Sequence, residues 1–326
     1  MTIVMLSAVL ATLLVGLSAQ PLLIRWLRRR GVMDTPNHRS SHVSETPRGG
    51  GIGVVVSMCA GFTAYGVSRS GPLPAFLVVL LGMATLGLAD DLFGLPSLVR
   101  LGVQICVGTL GVLMLGSPNW IGLILVLWIA AYTNAFNFMD GANGLSGFNA
   151  LFVGLVYAVA SGHYAQPGQT AAALVLAAGA AAFLPWNVPR ARVFLGDVGS
   201  YAQGGFIAIL ATSLARSGVP LVIVLAPLSV YLADTTTTLI QRARLGEPLL
   251  EAHRSHTYQK AIVCGMSHTA VSLTTVAFAA LVTGAAWLAV SVHSALAISF
   301  SICTAAIALG GYLALPAVVR RRGAVT

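Results

Sequence analysis

The sequence predicts an all-α, polytopic integral membrane protein, a helical bundle with about eleven transmembrane helices. Composition is the first reason: hydrophobic residues make up 57% of the 326 residues and charged residues only 8%, whereas soluble domains carry about 25%. So little charge excludes a soluble fold of this size, and so much apolar content excludes a disordered chain. The four cysteines show no paired spacing, so neither a disulfide framework nor a zinc site is expected.

The second reason is the distribution of apolar runs, because a spanning helix needs about 17 to 20 mostly apolar residues. The eighth run is the weakest, since it is short and rich in glycine. The first lacks a positively charged leader and its arginines follow the apolar residues, so we interpret it as a membrane anchor. The runs are 3–24, 51–67, 73–89, 98–116, 119–136, 145–161, 169–186, 200–214, 219–240, 268–290 and 294–316.

The basic residues predict the orientation. If Met1 is placed outside, every basic residue except Arg69 and Arg216 lies on the cytoplasmic side or at its membrane edge. Lys and Arg favour that side, so the N-terminus is expected outside and the C-terminus in the cytoplasm. The net charge of +9 then reflects orientation and anionic-lipid contacts, and no nucleic acid is expected as a partner. We interpret residues 1–326 as one domain with its active site in the cytoplasmic loops 25–50, 90–97, 137–144, 187–199 and 241–267.

The acidic residues indicate where chemistry takes place. All of them fall in cytoplasmic loops or at cytoplasmic helix ends, and none lies in the middle of a predicted span, where an ion path would need one. Carboxylates gathered at one membrane face suggest a site for a water-soluble substrate, together with a metal. The acids are Asp34, Glu45, Asp90, Asp91, Asp140, Asp197, Asp234, Glu247 and Glu251.

Two cytoplasmic segments present charges near the membrane edge. Arg48 precedes a run of glycines, which suits contact with a phosphate; the alternative is a helix-entry turn with an orienting arginine. Asp90 and Asp91 end the third span and repel each other unless a cation or a polar partner compensates. Simple termination of that helix is the alternative, although the helix dipole disfavours acids there.

A third segment repeats a polar residue every three positions, at Asn134, Asn137, Asp140 and Asn143. On a helix end or a tight turn this spacing places four oxygens on one side, which suits a hard cation such as Mg²⁺ or the hydroxyls of a sugar. Ordinary turn chemistry is the alternative. It does not explain Asn134 and Asn137, which lie inside an apolar run.

The last two segments carry one acid and a histidine pair. Asp197 lies between two glycines directly before a helix, where it either caps that helix or binds a metal. His253 and His256 are spaced to share a helix face. With Arg254 they are expected to bind phosphate rather than zinc, because no further zinc ligand stands near.

Four of these segments, in this order and with this helix spacing, resemble the polyprenyl-phosphate N-acetylhexosamine-1-phosphate transferases over essentially the whole chain. RSSH…TPRGGG and HRSHTYQ are most similar to the branch that initiates O-antigen synthesis. The four segments are Asp90-Asp91, NAFNFMDGANGL from Asn134, FLGDVGS from Phe194, and the loop with His253 and His256.

The resemblance implies roles for these residues. Asp197 would bind Mg²⁺, for which Mn²⁺ substitutes, with assistance from Asn143; relatives often have Asp at the latter position. Asp90, Asp91 and Asp140 would be catalytic, the first two also handling the lipid phosphate. Substrate-binding roles fall to Arg48, Asn134, Asn137, His253, Arg254 and His256.

The resemblance also implies a reaction, in which UDP-HexNAc and undecaprenyl phosphate give undecaprenyl-diphospho-HexNAc and UMP. The product would start a lipid-linked cell-envelope glycan, O-antigen or a similar polysaccharide, at the bacterial inner membrane, and relatives suggest a homodimer. The sugar stays open among GlcNAc, FucNAc and QuiNAc. The rival interpretations are a transporter or flippase of lipid-linked or anionic substrates, an inactive scaffold of the same fold, and a CDP-alcohol phosphotransferase, whose multi-Asp motif is absent.

Overall fold

The computed structural model describes residues 2–34, 45–66, 71–117, 119–248 and 254–323. In these ranges the chain is a helical bundle with one short β-hairpin. The strands are β1 (Met33–Asp34) and β2 (Thr46–Pro47), paired antiparallel. The helices are α1 (Thr2–Arg30), α2 (Gly51–Tyr65), α3 (Leu73–Phe93), α4 (Ser97–Met114), α5 (Trp120–Phe138), α6 (Leu145–His163), α7 (Pro167–Asn187), α8 (Gly196–Arg216), α9 (Leu221–Leu225), α10 (Ser229–Arg244), α11 (Thr257–Val263), α12 (His268–Val292), α13 (Ala295–Leu313) and α14 (Leu315–Gly323).

The predicted class is confirmed, because ten helical segments of the described chain are long and apolar enough to cross a membrane. One of them, Leu221–Arg244, joins α9 to α10 through the 3-10 turn Ala226–Leu228. All eleven predicted runs are helical, but α2 has only 15 residues and is shorter than the spanning helices. It begins only at Gly51 because the residues just before it form the hairpin and a turn.

Helix α8, which the sequence predicts to be the weakest span, is the most buried one. It begins at Gly196 rather than at residue 200, and every residue from Val198 to Leu214 is buried. It packs against α2, α3 and α5. Glycine, alanine and serine lower its hydropathy, but small residues allow neighbouring helix backbones to approach closely. The composition that weakens the span signal is therefore the composition that a central helix needs.

Two glycines show how close these approaches are. A Cβ atom on Gly51, at the start of α2, would overlap the backbone of Gly199 in α8. A Cβ atom on Gly87 in α3 would overlap the carbonyl group of Asp197. Both contacts lie at the first turn of α8, so they place Asp197 against α2 and α3.

The segment that follows β2 docks on the segment that precedes α8. The N–H of Phe194 donates to the Pro47 carbonyl (2.8 Å), the N–H of Gly50 to the Phe194 carbonyl (2.8 Å), and the N–H of Gly51 to the Leu195 carbonyl (2.8 Å). These hydrogen bonds hold the starts of α2 and α8 side by side. Arg48 lies between them, beside the first turn of α8.

The last two spanning helices form a hairpin at the edge of the bundle. Helices α12 and α13 pack on each other, and α12 also packs on α6. In α13 the Tyr312 hydroxyl donates to Asp234 in α10 (2.7 Å). The C-terminal hairpin is thereby joined to α10, whose Asp234 also contacts His256.

Candidate active site

Asp91 caps a helix other than its own. Its carboxylate accepts the N–H of Asp197 (3.0 Å) and the N–H of Val198 (2.9 Å) at the first turn of α8. The first N–H groups of a helix have no partner inside it, and the helix dipole favours a negative charge there. Gly196 allows this approach, since its φ of +76° suits glycine and a Cβ atom there would crowd Asp91.

Arg48 joins two of the carboxylates. Its Nε lies 2.7 Å from Asp91 Oδ1, and its Nη2 lies 2.6 Å from Asp197 Oδ2. The Asp91 side chain is 5% exposed and that of Asp197 is 20% exposed. Asp197 is therefore the carboxylate that a solute can reach. It belongs to the first turn of α8, whereas the sequence prediction placed it just before that helix.

Asp90 turns away from its neighbour. It accepts hydrogen bonds from the Leu95 N–H (2.8 Å), Arg100 Nη1 (2.9 Å) and the Tyr201 hydroxyl (2.9 Å), and it is 7% exposed. Each acid of the pair thus has an arginine partner, as their mutual repulsion requires. These three partners hold the α3–α4 turn against α8, and the predicted catalytic role of Asp90 stays a prediction.

Asn137 holds Asp197 from the opposite side. Its Nδ2 donates to Asp197 Oδ1 (2.8 Å) and to the Ser200 hydroxyl (2.8 Å). Ser200 was not predicted as a site residue. A signal was present, because Asp197 and Ser200 are three residues apart and therefore share a face of α8.

Asp140 follows α5 near the same carboxylates. Burial raises its pKa to about 8; the nearby Ser146 hydroxyl and Arg48 lower it, while Asp197 and Asp91 raise it. Its carboxyl group is therefore largely protonated at neutral pH. Asp140 is half-buried beside the arginine–carboxylate cluster, and a raised pKa at such a place is typical of functional sites.

The other two members of the three-residue repeat point elsewhere, which corrects the expectation that all four share one side. The Asn134 amide donates to Gln104 Oε1 on α4 (2.6 Å). The Asn143 amide donates to the Pro189 carbonyl (3.3 Å), and its backbone N–H lies 3.2 Å from His268 Nδ1. The spacing placed the residues on a helix end, but the side chains turn towards partners on α4 and in the segment between α7 and α8.

The histidine loop is partly described. His253 lies outside the described residues, and Arg254 is exposed. His256 precedes the first turn of α11, so it does not lie on a helix face as expected. Its ring is buried, with Nδ1 3.2 Å from Asp234 Oδ1.

Asp234 anchors this loop. Its carboxylate also accepts the N–H of Thr257 (3.0 Å) and the hydroxyl groups of Thr238 (3.2 Å) and Tyr312 (2.7 Å). The Tyr258 hydroxyl donates to the Phe138 carbonyl (3.1 Å), so the loop packs against the chain just before Asp140.

The donor set suits a hard cation. No group of three or more His, Cys, Asp or Glu side chains poised for a metal occurs in the described ranges. Mg²⁺ does not need one, since it usually takes one or two carboxylates, waters and substrate phosphates. Asp197 offers an accessible carboxylate oxygen, and Asp91 adds negative charge beside it.

Comparison with known proteins agrees with this site. The family model described as "Glycosyl transferase family 4" matches residues 73–215, which include Asp90, Asp91, Asn137, Asp140 and Asp197. The chain is 29% identical to a probable undecaprenyl-phosphate N-acetylglucosaminyl 1-phosphate transferase of Bacillus subtilis, over 80% of this chain and 78% of the relative. It is 30% identical to a phospho-N-acetylmuramoyl-pentapeptide-transferase of Frankia alni, over 73% of this chain and 82% of the relative. A decaprenyl-phosphate N-acetylglucosaminephosphotransferase of Mycobacterium tuberculosis is 28% identical, over 75% and 72%.

Fold and site define a polytopic helical membrane protein with a carboxylate–arginine site at one end of its bundle. The chain belongs to the superfamily of polyprenyl-phosphate N-acetylhexosamine-1-phosphate transferases, as the motifs predicted.

Proposed function

We propose that the protein transfers HexNAc-1-phosphate from a UDP-sugar to undecaprenyl phosphate and releases UMP. An oxygen of the lipid phosphate attacks the sugar-bearing phosphorus, and the bond from that phosphorus to the UMP oxygen breaks. The product starts a lipid-linked cell-envelope glycan, O-antigen or a similar polysaccharide. The relatives named for N-acetylglucosamine make UDP-GlcNAc the first donor to test.

The observation that carries the proposal is the position of Arg48 between Asp91 and Asp197 at the start of α8. Phosphoryl transfer depends on positioning and on neutralising charge more than on covalent help from the protein. Arg48 and the first turn of α8 supply positive charge and donors, while Asp197 offers an accessible carboxylate. This is the combination that a diphosphate substrate and its cation need.

Each side chain then has a task. Asp197, with Asn143 as a more distant candidate, would hold Mg²⁺, which when bound neutralises diphosphate charge and assists departure of UMP. Asn137 orients Asp197. Asp91 binds Arg48 and caps α8, and through them it would help to orient the lipid phosphate.

The remaining residues hold protons and charge. Asp140 carries a proton at neutral pH and exchanges it with a phosphate oxygen. Arg254 and His253 contact phosphate oxygens, and Asp234 fixes the ring of His256 beside them. Asn134, which is paired with Gln104, forms part of the wall of the site that faces the nucleotide.

We place the site on the cytoplasmic face of the bacterial inner membrane. Basic residues end α1 at Arg28, Arg29 and Arg30 and end α10 at Arg242 and Arg244. Lys and Arg favour the cytoplasmic side, and the nucleotide-sugar is a cytoplasmic metabolite class that cannot cross the bilayer unaided. The lipid acceptor reaches the same edge from within the membrane.

A transporter is the weaker candidate. It would require an ionisable group able to exchange ions or protons inside the bundle. Asp234 is the fully buried acid inside a spanning segment, and hydrogen bonds from Thr238, Thr257 and Tyr312 hold it in place. An acid with so many fixed partners serves as an anchor.

The test is release of UMP by the purified protein with undecaprenyl phosphate, UDP-GlcNAc, UDP-FucNAc or UDP-QuiNAc, and either Mg²⁺, Mn²⁺ or EDTA. We expect lipid-dependent release that requires the metal and is lost in Asp197→Asn. Glu247→Gln is the matched control, since it neutralises an exposed acid at the end of α10. Failure of every donor in a folded preparation, or full activity of Asp197→Asn, would refute the proposal and favour an inactive scaffold.

A further inference from the structure

A groove of about 700 Å³ lies apart from the carboxylates, between α11 and α14. One wall comes from α11 and the residues around it, and the other from the C-terminal helix. Those two helices pack directly on each other although about fifty residues separate them in the chain. The catalytic residues described above do not line it, apart from Arg254 at its margin with the histidine loop.

Positive side chains surround this groove. Arg254 and Lys260 come from the α11 side, and Arg320 and Arg321 come from α14. No carboxylate of the described chain pairs with Lys260, Arg320 or Arg321, although Arg48, Arg100 and Arg242 each have one. Lys260, Arg320 and Arg321 are three like charges that repel one another, so an external anion among them is favourable.

The rest of the lining is apolar. Val263 and Cys264 contribute from the end of α11, and Pro316 and Ala317 from the first turn of α14. A nucleotide or free phosphate does not use such a surface, whereas a molecule with both an anionic group and hydrocarbon does.

The groove also lies at the depth where such molecules are found. Helix α13, a spanning segment, ends at Leu313, and α14 begins two residues later at Leu315. The groove therefore opens where the chain leaves the hydrocarbon layer, at the level of the lipid headgroups. A bilayer lipid reaches it without leaving the membrane.

We propose that this groove binds an anionic phospholipid, with its phosphodiester among Lys260, Arg320 and Arg321 and its acyl chains over Val263, Cys264 and Pro316. A zwitterionic lipid carries a cation of its own beside the phosphate, so it gains less from the same cluster than an anionic lipid does. The bound lipid bridges α11 and α14, and so steadies the helix that begins next to His256.

The experiment uses Cys264 as a reporter inside the groove. Cys59, Cys106 and Cys303 are replaced by Ser, and the rate at which a maleimide labels Cys264 is measured in detergent with added phosphatidylglycerol or phosphatidylcholine. We expect phosphatidylglycerol to slow labelling and phosphatidylcholine not to. Arg320→Gln with Arg321→Gln should weaken this protection by about tenfold or more, since each basic residue contributes substantially to anionic-lipid binding.

The matched control is Arg28→Gln with Arg29→Gln, which removes the same charge from an exposed basic pair at the end of α1. It should leave the protection unchanged, because a general attraction to the membrane is not the proposed cause. Native mass spectrometry of the protein with its cysteines intact counts bound phosphatidylglycerol as an independent readout. The proposal would be overturned if both double variants lost the protection of Cys264 to the same extent, or if phosphatidylglycerol did not slow the labelling of Cys264 at all. Protection by undecaprenyl phosphate but not by phosphatidylglycerol would assign the groove to the lipid acceptor and overturn it equally.

Discussion

Arg48 holds two acids together that would otherwise repel each other across the site. Its guanidinium group contacts Asp91 and Asp197 at 2.7 and 2.6 Å. A divalent cation that binds Asp197 competes with this contact, and the displaced guanidinium group is then available to a phosphate. Arg48 would therefore hold the two carboxylates together before the substrates bind and contact a phosphate afterwards.

Replacing Arg48 by Gln should change activity and cation response in opposite directions. We expect UMP release to fall by about 10- to 100-fold, the size of a lost charge-assisted hydrogen bond. The thermal stabilisation by Mg²⁺ should increase, because two carboxylates are left without their cation. Unfolding temperatures with Mg²⁺ and with EDTA measure this. A Mg²⁺ response smaller than that of the unmodified protein would contradict the competition.

Asp140 gives the stability a predictable pH dependence. Its pKa is about 8 in the folded protein, against about 3.9 for an unperturbed Asp. The folded state therefore keeps a proton that the unfolded state has released. The contribution is fully present below the unfolded value and is lost as the pH rises towards 8 and beyond.

Asp140→Asn removes this titration. The unfolding temperature of the variant, relative to that of the unmodified protein in EDTA, should rise steadily between pH 5 and about pH 8 and level off above it. Glu247→Gln, an exposed acid, should show no such trend. A constant difference across the pH range would show that Asp140 is ionised in the folded protein.

At the scale of helices, adjacent residues of one motif serve different neighbours. Asp90 and Asp91 are consecutive in α3, yet one is bound to Arg100 and Tyr201 and the other to Arg48 and the start of α8. Consecutive residues on a helix point about 100° apart, so a pair of acids rarely acts as one group. The motif predicted the place of the site but not this division of labour.

The close approach of α3 to α8 should tolerate no side chain at Gly87. In Gly87→Ala the new Cβ would overlap the carbonyl of Asp197, and backbone cannot move aside as a side chain does. Overpacking of this kind costs about 1–3 kcal/mol, and it should displace Asp197 and reduce UMP release. The matched control is Gly102→Ala in α4, where a Cβ meets open space. Similar stability of both variants would mean that α3 and α8 are not in tight contact.

Much of this arrangement follows from the sequence. Apolar runs predicted the helices, and the motifs assigned Asp91 and Asp197, which the structure brings together, to one candidate site. The partners of individual side chains could not be predicted, because Gln104 for Asn134 and Pro189 for Asn143 come from other segments. The central place of α8 was missed for a related reason, since small residues reduce hydropathy while favouring burial in a bundle.

At the scale of the whole molecule, one buried acid joins three parts of the chain. Asp234 in α10 accepts the Tyr312 hydroxyl from α13 and the Thr257 N–H next to His256. The hairpin of α12 and α13 is therefore connected to the histidine loop through this carboxylate, in addition to the contact of α12 with Asn143. This connection lies beyond residues 73–215, where the family model matches.

Tyr312→Phe should test the connection without changing the shape of the core. Loss of one hydrogen bond to a buried carboxylate should cost about 1–3 kcal/mol, seen as a lower unfolding temperature. Activity should fall less than in Asp234→Asn, which also disturbs the contact with His256. An effect of Tyr312→Phe on activity that exceeds the effect of Asp234→Asn would show that the tyrosine acts directly on substrate.

The burial of α8 also has a consequence for biosynthesis. Its hydropathy of 1.2 is the lowest among the ten spanning segments, so it has the weakest tendency to enter lipid alone. Its main partners α2, α3 and α5 all precede it in the chain, and a ribosome completes them first. When α8 emerges, the helices against which it packs have already been synthesised. The order of the segments along the gene therefore favours insertion of α8, and a circular permutation that moved α8 to the front would remove this advantage.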